Sequence, residues 1–258
     1  MLKNKLLVAA LASTFALPVL AADFTPSSNV GLVSDYLYRG ISQSGAKPAI
    51  QGGFDLAHSS GAYIGMWGSS ISWISDGGLA TNAGLELDTY AGYKGAAGVV
   101  AYDVGFLRYN YPTGVYVDPI PANFAKADTN EVYGAVTYSI VTAKLSYALG
   151  DLFSVSNAKG STYLEVNASY AIPDTGVTLG AHYGKQTYKG TSADSLKAGG
   201  ADPTYSDYKL SATKDFSGYV VGLAYSSTNA AKGAGNFYHI LNKDLGKSTV
   251  VLSLTRAM

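Results

Sequence analysis

The stretch LELDTYA at residues 85–91 decides the fold, because its side chains alternate with a period of two. Two leucines, a threonine and an alanine fall on one parity, whereas Glu86, Asp88 and a tyrosine fall on the other. Successive side chains of a β-strand point to opposite faces, so this stretch has one apolar face and one polar face. The stretches VTAKLSY at 141–147 and LEVNASY at 164–170 have the same period. The sequence therefore predicts an all-β protein.

Extending the pattern along the chain predicts twelve strands. They are expected near residues 29–38, 47–57, 62–72, 85–91, 99–109, 130–139, 141–147, 164–170, 177–186, 208–214, 218–227 and 248–256. Eight of the segments are nine to eleven residues long and the other four are regular over at least seven. A tilted strand needs about nine to eleven residues to cross a bilayer, whereas strands of soluble sheets are most often about five or six residues long. Strand length thus favours a membrane barrel over a sandwich.

The connections between these segments alternate in length. Short turns are expected at 58–61, 94–98, 139–140, 173–176 and 215–218, and long loops at 39–46, 73–83, 110–129, 150–160, 187–206 and 228–246. Bacterial outer-membrane barrels have short periplasmic turns and long extracellular loops, and an even strand count puts both termini on the periplasmic side. A closed sheet also pairs every backbone N–H and C=O group in hydrocarbon. The prediction is a transmembrane antiparallel up-and-down β-barrel of about twelve strands.

Composition narrows the function classes. Charged residues make up 14% of the chain, well below the ~25% of soluble domains, and Lys plus Arg equals Asp plus Glu at 18 each. Because its positive and negative charges balance, the chain has no net electrostatic field that attracts nucleic acid, so no nucleic-acid partner is expected. The absence of cysteine excludes disulfides and thiolate metal sites, and no cofactor is predicted. Many of the 21 tyrosines lie near predicted strand ends, where aromatic girdles are expected, although some must point inward.

The N-terminus has the pattern of a Sec signal peptide. Lys3 and Lys5 precede an apolar stretch from Leu6 to Leu20. The small residues at the bond between Ala21 and Ala22 have the pattern of a cleavage site. Residues 1–21 are predicted to be the signal peptide and residues 22–258 a single barrel domain, exported to the bacterial outer membrane.

Charged residues on the polar parity are the candidate lumen side chains. Asp35 and Arg39 share a parity on the first predicted strand but lie about 13 Å apart, so Arg39 is expected to meet a carboxylate of a neighbouring strand. The candidate lumen or selectivity residues are Asp35, Arg39, Asp55, Glu86, Asp88, Asp103, Glu131, Lys144, Glu165, His182 and Lys209. These side chains either pair with one another in a polar lumen or have a role in gating and ion selectivity. Lys185 is off parity and expected at a rim, and Arg108 is expected at a bulge or at headgroup level.

This lumen is mixed in charge with an acidic tilt, which favours a weak cation preference. Twelve strands lie between small filled barrels and open 16–18-stranded porins, so a narrow or partly plugged pore is expected. The sequence favours passive passage of small hydrophilic solutes. The alternative is a non-conducting structural barrel, or a recognition or adhesion barrel, in which the loops 110–129 and 187–206 fold either inward or outward.

An enzymatic barrel is the competing class. His58 is predicted in a turn, His182 inside a strand and His239 in a long loop, and no Ser is expected to pair with any of them. Neither a G-x-S-x-G nor an H-E-x-x-H motif occurs, so no enzyme is predicted. Asp76 and Asp202 lie in Gly- or Pro-containing loops, where isolated aspartates usually form turns rather than calcium sites.

The stretches SDYLYRGISQS, residues 34–44, and PAIQGGFD, residues 48–55, resemble the N-terminal signature of the TorF-type porin family. The resemblance implies an outer-membrane β-barrel that is porin-like and has no established substrate. Its expected partners are outer-membrane lipid, the barrel-assembly machinery and small hydrophilic solutes. The terminal LTRAM, residues 254–258, departs from the aromatic end common in such barrels, which bears on assembly more than on fold.

Overall fold

The computed structural model describes residues 23–258, so the predicted signal peptide lies outside the described residues. Twelve strands form one closed antiparallel barrel. They are β1 (Phe24–Val33), β2 (Ala49–His58), β3 (Ala62–Ser70), β4 (Leu85–Ala97), β5 (Val100–Asn110), β6 (Thr129–Tyr138), β7 (Val141–Ala148), β8 (Thr162–Ile172), β9 (Val177–Thr187), β10 (Tyr205–Phe216), β11 (Tyr219–Thr228) and β12 (Thr249–Ala257).

Each strand pairs with the next along the chain, and the barrel closes where β1 meets β12, with Asn29 opposite Ala257 and Val33 opposite Ser253. The predicted fold class is therefore confirmed. Tight turns join the strands at one end, and both β1 and β12 have their outer termini there. The six longer connections all lie at the opposite end, here called the long-loop end.

The first strand is the one poorly predicted element. The sequence predicts it over residues 29–38, but it spans Phe24–Val33. The chain then makes a separate small hairpin in which Leu37–Tyr38 pairs with Ile41–Ser42. Arg39 and Gly40 form its two-residue turn with φ angles of +47° and +78°, the positive pair that a tight hairpin of this kind requires. The residues that extend the predicted first strand beyond Val33 therefore belong to the first long loop and its hairpin, and not to the barrel wall.

The outer face of the barrel is apolar. Most large apolar residues on the outward parity are exposed, as expected for side chains that face lipid. Exposed aliphatic residues around the middle of the wall include Leu32, Ile50, Ile64, Val104, Val136, Leu145, Leu164, Leu179, Leu210, Leu223 and Leu252. Exposed tyrosines border them in two bands, Tyr93, Tyr102, Tyr138, Tyr170 and Tyr219 toward the short turns and Tyr147, Tyr183, Tyr208 and Tyr225 toward the long loops. Of the other tyrosines expected near strand ends, Tyr63 and Tyr109 point inward.

The inner face is packed by tyrosine rings that lie over glycines of adjacent strands. A Cβ on Gly105 would lie 2.6 Å from the Tyr133 hydroxyl, and one on Gly65 would lie 2.6 Å from Asp55 Oδ1 and closer still to the Tyr90 ring. These glycines are required because any side chain would occupy the space of a neighbouring ring. The tyrosines thereby fill much of the lumen toward the short turns.

The long loops pack over the barrel mouth. Two short helices, α1 (Trp73–Asp76) and α2 (Thr191–Ala198), belong to them, and Ala193 of α2 is buried against Leu152. Three buried hydrophobic clusters lie at this end, formed largely by loop residues. The loops 110–129 and 187–206, whose direction the sequence leaves open, thus fold across the mouth. Neither helix in residues 23–258 is long and apolar enough to cross a membrane, a finding that concerns helices alone.

Candidate lumen site

The first long loop, residues 34–48 and here called the plug loop, enters the barrel. Its small hairpin carries Arg39 to the opposite wall, where the guanidinium contacts Glu131 of β6 and Gln186 of β9. A Cβ on Gly40 would lie 2.7 Å from both Asp207 of β10 and Thr228 of β11, so the loop backbone also touches these two strands. The plug loop therefore spans the lumen from side to side.

Arg39 is held on several sides. Its Nη1 donates to Glu131 Oε1 at 3.1 Å and its Nη2 to Glu131 Oε2 at 2.7 Å, while Nη1 also donates to Gln186 Oε1 at 2.6 Å. The guanidinium carbon lies 4.3 Å from the ring centroid of Tyr163 and 4.9 Å from that of Tyr38. The side chains of Arg39 and Glu131 are 6% and 2% exposed. This is a bidentate, nearly buried ion pair.

These contacts correct two predictions. Arg39 and Asp35 do not lie on the first strand, because that strand ends at Val33 and the hairpin redirects the chain inward. Arg39 does not meet a carboxylate of a neighbouring strand either, since β6 lies across the barrel from β1. The inward hairpin carries the guanidinium too far from its own wall for a local pair.

Asp35 anchors the base of the plug loop. Its Oδ1 accepts hydrogen bonds from the hydroxyls of Ser42 at 2.6 Å and Ser44 at 3.0 Å, but its Oδ2 is buried without a partner among the described residues. Burial raises the pKa of the Asp35 carboxyl above its usual value, and the serine hydroxyls oppose the shift. The adjacent Tyr36 donates to Glu86 Oε1 at 2.8 Å, which ties the loop to β4.

The plug loop divides the lumen into two chambers, both lined by Tyr38 and Arg39. The outer chamber, of about 430 Å³, lies between the plug loop and the other long loops and has mostly apolar walls that include several aromatic rings. The inner chamber, of about 280 Å³, lies on the opposite side of Arg39 and has mostly polar walls. Its charged lining residues are Arg39, Asp88, Lys144, Glu165, Asp207 and Lys209, together with His182.

A hydrogen-bonded network surrounds His182 in the inner chamber. Its Nε2 lies 2.9 Å from Asp207 Oδ1 and 3.0 Å from the Tyr163 hydroxyl, and its Nδ1 lies 2.7 Å from Asn167 Oδ1. Asn167 in turn donates to Glu165 Oε2 at 2.9 Å. Every polar atom of the imidazole thus has a protein partner, and none of these partners is a serine.

The remaining predicted residues lie at two further levels. Toward the short turns, Tyr63 donates to Asp103 at 2.6 Å and Tyr90 donates to Asp55 at 2.7 Å. Glu86 and Asp88 are buried near the plug loop, and Asp88 Oδ1 has no partner in the described part of the chain. The structure thus brings Arg39, Asp88, Lys144, Glu165, His182 and Lys209 to one chamber and holds Asp35, Asp55, Glu86 and Asp103 apart from it.

Two outward-facing basic residues lie near the long-loop end. Lys185 is exposed on the outward parity, two residues before β9 ends. Arg108 is on the outward parity of β5, and its side chain donates to Asn110 at 2.6 Å and Asn130 at 3.1 Å. The register of β5 with both neighbours is continuous, so the bulge considered for Arg108 is absent.

The expectation that no serine pairs with a histidine is wrong at one place. His58 Nδ1 lies 2.8 Å from Ser60 Oγ in the exposed turn between β2 and β3. The contact spans two residues, and the Ser60 backbone N–H also points to the same nitrogen, as in a local turn. No acidic group orients this imidazole among its described hydrogen bonds, so the pair lacks the third member of a nucleophilic triad. Asp76 and Asp202 accept local bonds from Ser72 and Thr204.

Sequence reasoning identifies only part of these contacts. Gln186 lies on the polar parity of its predicted strand together with His182, but its contact with Arg39 does not follow from parity. Asp207 and Tyr163 each lie one residue before a predicted strand, and Tyr109 is expected near a strand end with the outward tyrosines. Extending the parity of Lys209 by two residues places Asp207 inward. Which of them meets Arg39 follows from the depth of the plug loop, which no period in the sequence records.

Fold and site together define the class: a closed twelve-stranded antiparallel barrel with an apolar outer face and a polar, plugged lumen. Residues 20–258 match a family model described as bacterial protein of unknown function (Gcw_chp), and the chain belongs to that family. The match does not confirm the TorF-type name. No curated protein matches the chain.

Solved structures share the barrel. One, described as "Unveiling the Mechanism Behind the in-meso Crystallization of Membrane Proteins", has a TM-score of 0.50 at 6% identity and covers 90% of this chain and 83% of its own. The KdgM porin in complex with disordered oligogalacturonate has a TM-score of 0.49 at 8% identity, and the match covers 90% of this chain and 98% of that chain. The Salmonella typhi OmpF complex with daunomycin has a TM-score of 0.47 at 10% identity, and the match covers 91% of this chain and 97% of that chain. At 6% identity the first likeness shows the fold alone.

Proposed function

We propose that this barrel is a porin-like channel of the bacterial outer membrane that lets small hydrophilic solutes diffuse through a narrow lumen. The apolar outer face bordered by two tyrosine bands supports a membrane location, because lipid-facing barrels have this arrangement. Export through the Sec pathway, with residues 1–21 removed, and insertion by the barrel-assembly machinery belong to the same proposal. No enzymatic role is proposed, because no serine, threonine or cysteine of the described residues lies beside the His182 imidazole.

The observation that carries the proposal is the pair of chambers that meet at Arg39. Chambers of about 280 Å³ and 430 Å³ on the two sides of one inserted loop form an interrupted path along the barrel. Narrow pores select by diameter and by the charges on their walls. Arg39, held by Glu131, lines both chambers, so passage between them depends on the plug loop.

The lumen charges support a mild cation preference. Inward carboxylates occur at Asp55, Glu86, Asp88, Asp103, Glu131, Glu165 and Asp207, whereas the inward cations of the described strands are Lys94, Lys144 and Lys209, to which the plug loop adds Arg39. Unbalanced carboxylates favour cations over anions in a narrow aqueous path.

The second candidate is a non-conducting barrel that recognises a partner or ligand at its loops. The inserted plug loop and the loops folded over the mouth favour this alternative, since both obstruct the path. The two candidates differ in one measurable property, the passage of ions.

Single-channel recording of the refolded mature protein in a planar bilayer, with a salt gradient, tests the proposal. Discrete current steps with a small cation preference are expected. A correctly folded barrel that stays silent, both as wild type and as Arg39→Ala, would overturn the channel proposal and favour the recognition barrel. Heat-modifiable migration on a gel verifies folding in each sample.

A further inference from the structure

The outer chamber has the size and walls of a small-molecule site. At about 430 Å³ it falls within the range of ligand pockets, roughly 300–1,000 Å³. Phe237 is its central ring, with the Tyr238 ring centroid 4.8 Å away, that of Tyr188 at 6.3 Å and a stacked Phe124 at 6.4 Å. Several loops bring these rings together, and flat aromatic walls favour a flat aromatic guest.

Two polar atoms of the chamber lining have no partner among residues 23–258. They are the hydroxyl of Ser154, whose residue is 1% exposed, and the indole Nε1 of Trp73. A buried donor without an acceptor is costly, and native proteins rarely leave one unmet. Indole nitrogen can only donate. Both atoms are buried behind the chamber surface, so a guest that supplies an acceptor would satisfy them once the Ser154 or Trp73 side chain turns toward it.

The charge of the chamber selects an uncharged guest. Arg39 is the one Lys, Arg, Asp or Glu side chain among the described lining residues, and Glu131 already neutralises it with a bidentate pair. The imidazole of His239 is bonded to Asp244 at 2.7 Å. A cation therefore finds no carboxylate in this wall, and an anion would approach Arg39 with Glu131 directly behind it.

We propose that the outer chamber binds a neutral planar aromatic solute carrying a carbonyl acceptor, such as an aromatic carboxamide, with the ring among the Phe237 aromatics and the carbonyl oxygen at the Ser154 and Trp73 donors. The inference rests on the proposed function, since it names the class of solute that enters the channel from the long-loop end. It is tested by binding rather than by conduction.

The two tryptophans of the chain make the test specific. Trp67→Phe leaves Trp73, in the chamber wall, as the only indole, and benzamide added to this refolded variant in detergent is expected to quench or shift its emission saturably. Trp73→Phe keeps Trp67, which points into the barrel against Tyr36 and does not line the chamber, so benzamide in the chamber should leave its emission nearly unchanged. Benzoate and glucose are the comparison probes and are expected to bind at least tenfold more weakly.

Variants locate the bound probe. Ser154→Ala in the Trp67→Phe background should weaken benzamide binding roughly fivefold, the effect of one hydrogen bond. Phe237→Leu should weaken it further, whereas Phe106→Leu, which removes a ring from the lipid-facing surface, should leave it unchanged. Absence of saturable benzamide binding, equal loss with Phe106→Leu, or tighter binding of benzoate or glucose would overturn the inference. If the barrel shows current steps but does not bind benzamide, this inference fails and the channel proposal stands. If it binds benzamide but carries no current, the channel proposal fails and the binding site stands.

Discussion

Arg39 and Glu131 join the first loop to the opposite wall of the barrel through two parallel hydrogen bonds, Nη1 to Oε1 at 3.1 Å and Nη2 to Oε2 at 2.7 Å. Their separation in sequence is 92 residues, and no other described ion pair links the plug loop to a strand. Breaking a nearly buried ion pair by removing one partner leaves an uncompensated charge and costs about 3–5 kcal/mol. The pair therefore fixes the plug loop in the lumen.

Arg39→Ala should lower the free energy of unfolding by about 3–5 kcal/mol and increase the conductance, because it leaves Glu131 unpaired and clears the layer between the chambers. The double variant Arg39→Ala/Glu131→Ala should regain part of the stability and keep the larger conductance. Denaturant unfolding and single-channel recording measure the two effects. Arg256→Ala, which removes an exposed arginine near the short turns, is the control. An unchanged conductance in Arg39→Ala would show that the plug loop does not obstruct the path.

Gly40→Ala tests the contact of the plug loop with β10 and β11. The new Cβ would lie 2.7 Å from Asp207 Cβ and Thr228 Cγ2, so the turn must move or the strands must yield, at about 1–3 kcal/mol. Gly78→Ala is the matched control, because Gly78 has a similar φ of +73° but a methyl group there would meet nothing within 4 Å. Thermal unfolding should show a larger loss for Gly40→Ala. Equal losses would mean that backbone strain alone, and not wall contact, determines the effect.

The barrel was predictable from the sequence because its determinants are local. Alternation such as that of Leu85–Ala91 sets strand faces, and loop length sets the end at which each connection lies, so twelve strands and their order follow. The plug was not predictable by the same means. The sequence predicts that the first strand runs on to Tyr38, whereas the strand ends at Val33 and the positive φ pair at Arg39 and Gly40 forms a separate hairpin that points inward.

The site was predictable in part for the same reason. Parity assigns Lys144, Glu165 and His182 to the lumen because each lies inside a long regular strand. It does not assign partners across the barrel, since the distance between opposite walls depends on closure and tilt rather than on any one strand. Arg39 with Glu131 is a contact across the barrel, whereas His182 and Asp207 are diagonal neighbours on the adjacent strands β9 and β10.

Asp35→Asn should stabilise the protein at neutral pH. Burial raises the pKa of Asp35 above 3.8, so the folded state favours the protonated carboxyl. Such a group contributes stability that is present below the unfolded pKa and is lost as pH rises through the folded pKa. Asparagine keeps an acceptor for Ser42 and Ser44 and carries no charge. Denaturant unfolding should therefore show the variant and wild type closest at acidic pH and the variant more stable at pH 7. A less stable variant at pH 7 would show that the ionised carboxylate is needed.

Gly105→Ala should destabilise the barrel through the inward tyrosine packing. Its Cβ would lie 2.6 Å from the Tyr133 hydroxyl and 2.8 Å from the Ala91 carbonyl oxygen, and overpacking of this kind costs about 1–3 kcal/mol. Gly134→Ala, on the neighbouring strand, meets its nearest atom only at 4.0 Å and should change stability little. Denaturant midpoints compare the two. Similar values for both variants would mean that the Tyr133 ring moves aside freely.

Glu165→Gln should reduce the cation preference of the channel, and Lys144→Gln should increase it. The two residues are directly opposite each other on β7 and β8, and both line the inner chamber. One unit charge several ångströms from a passing ion in an aqueous path changes its energy by about 0.5 kcal/mol, which is about a twofold change in permeability ratio. Reversal potentials in a salt gradient measure that ratio. Lys185→Gln, which removes an outward-facing charge, should not move the reversal potential. If all three variants behave alike, ions that cross the barrel do not pass the inner chamber, and the lumen charges serve packing alone.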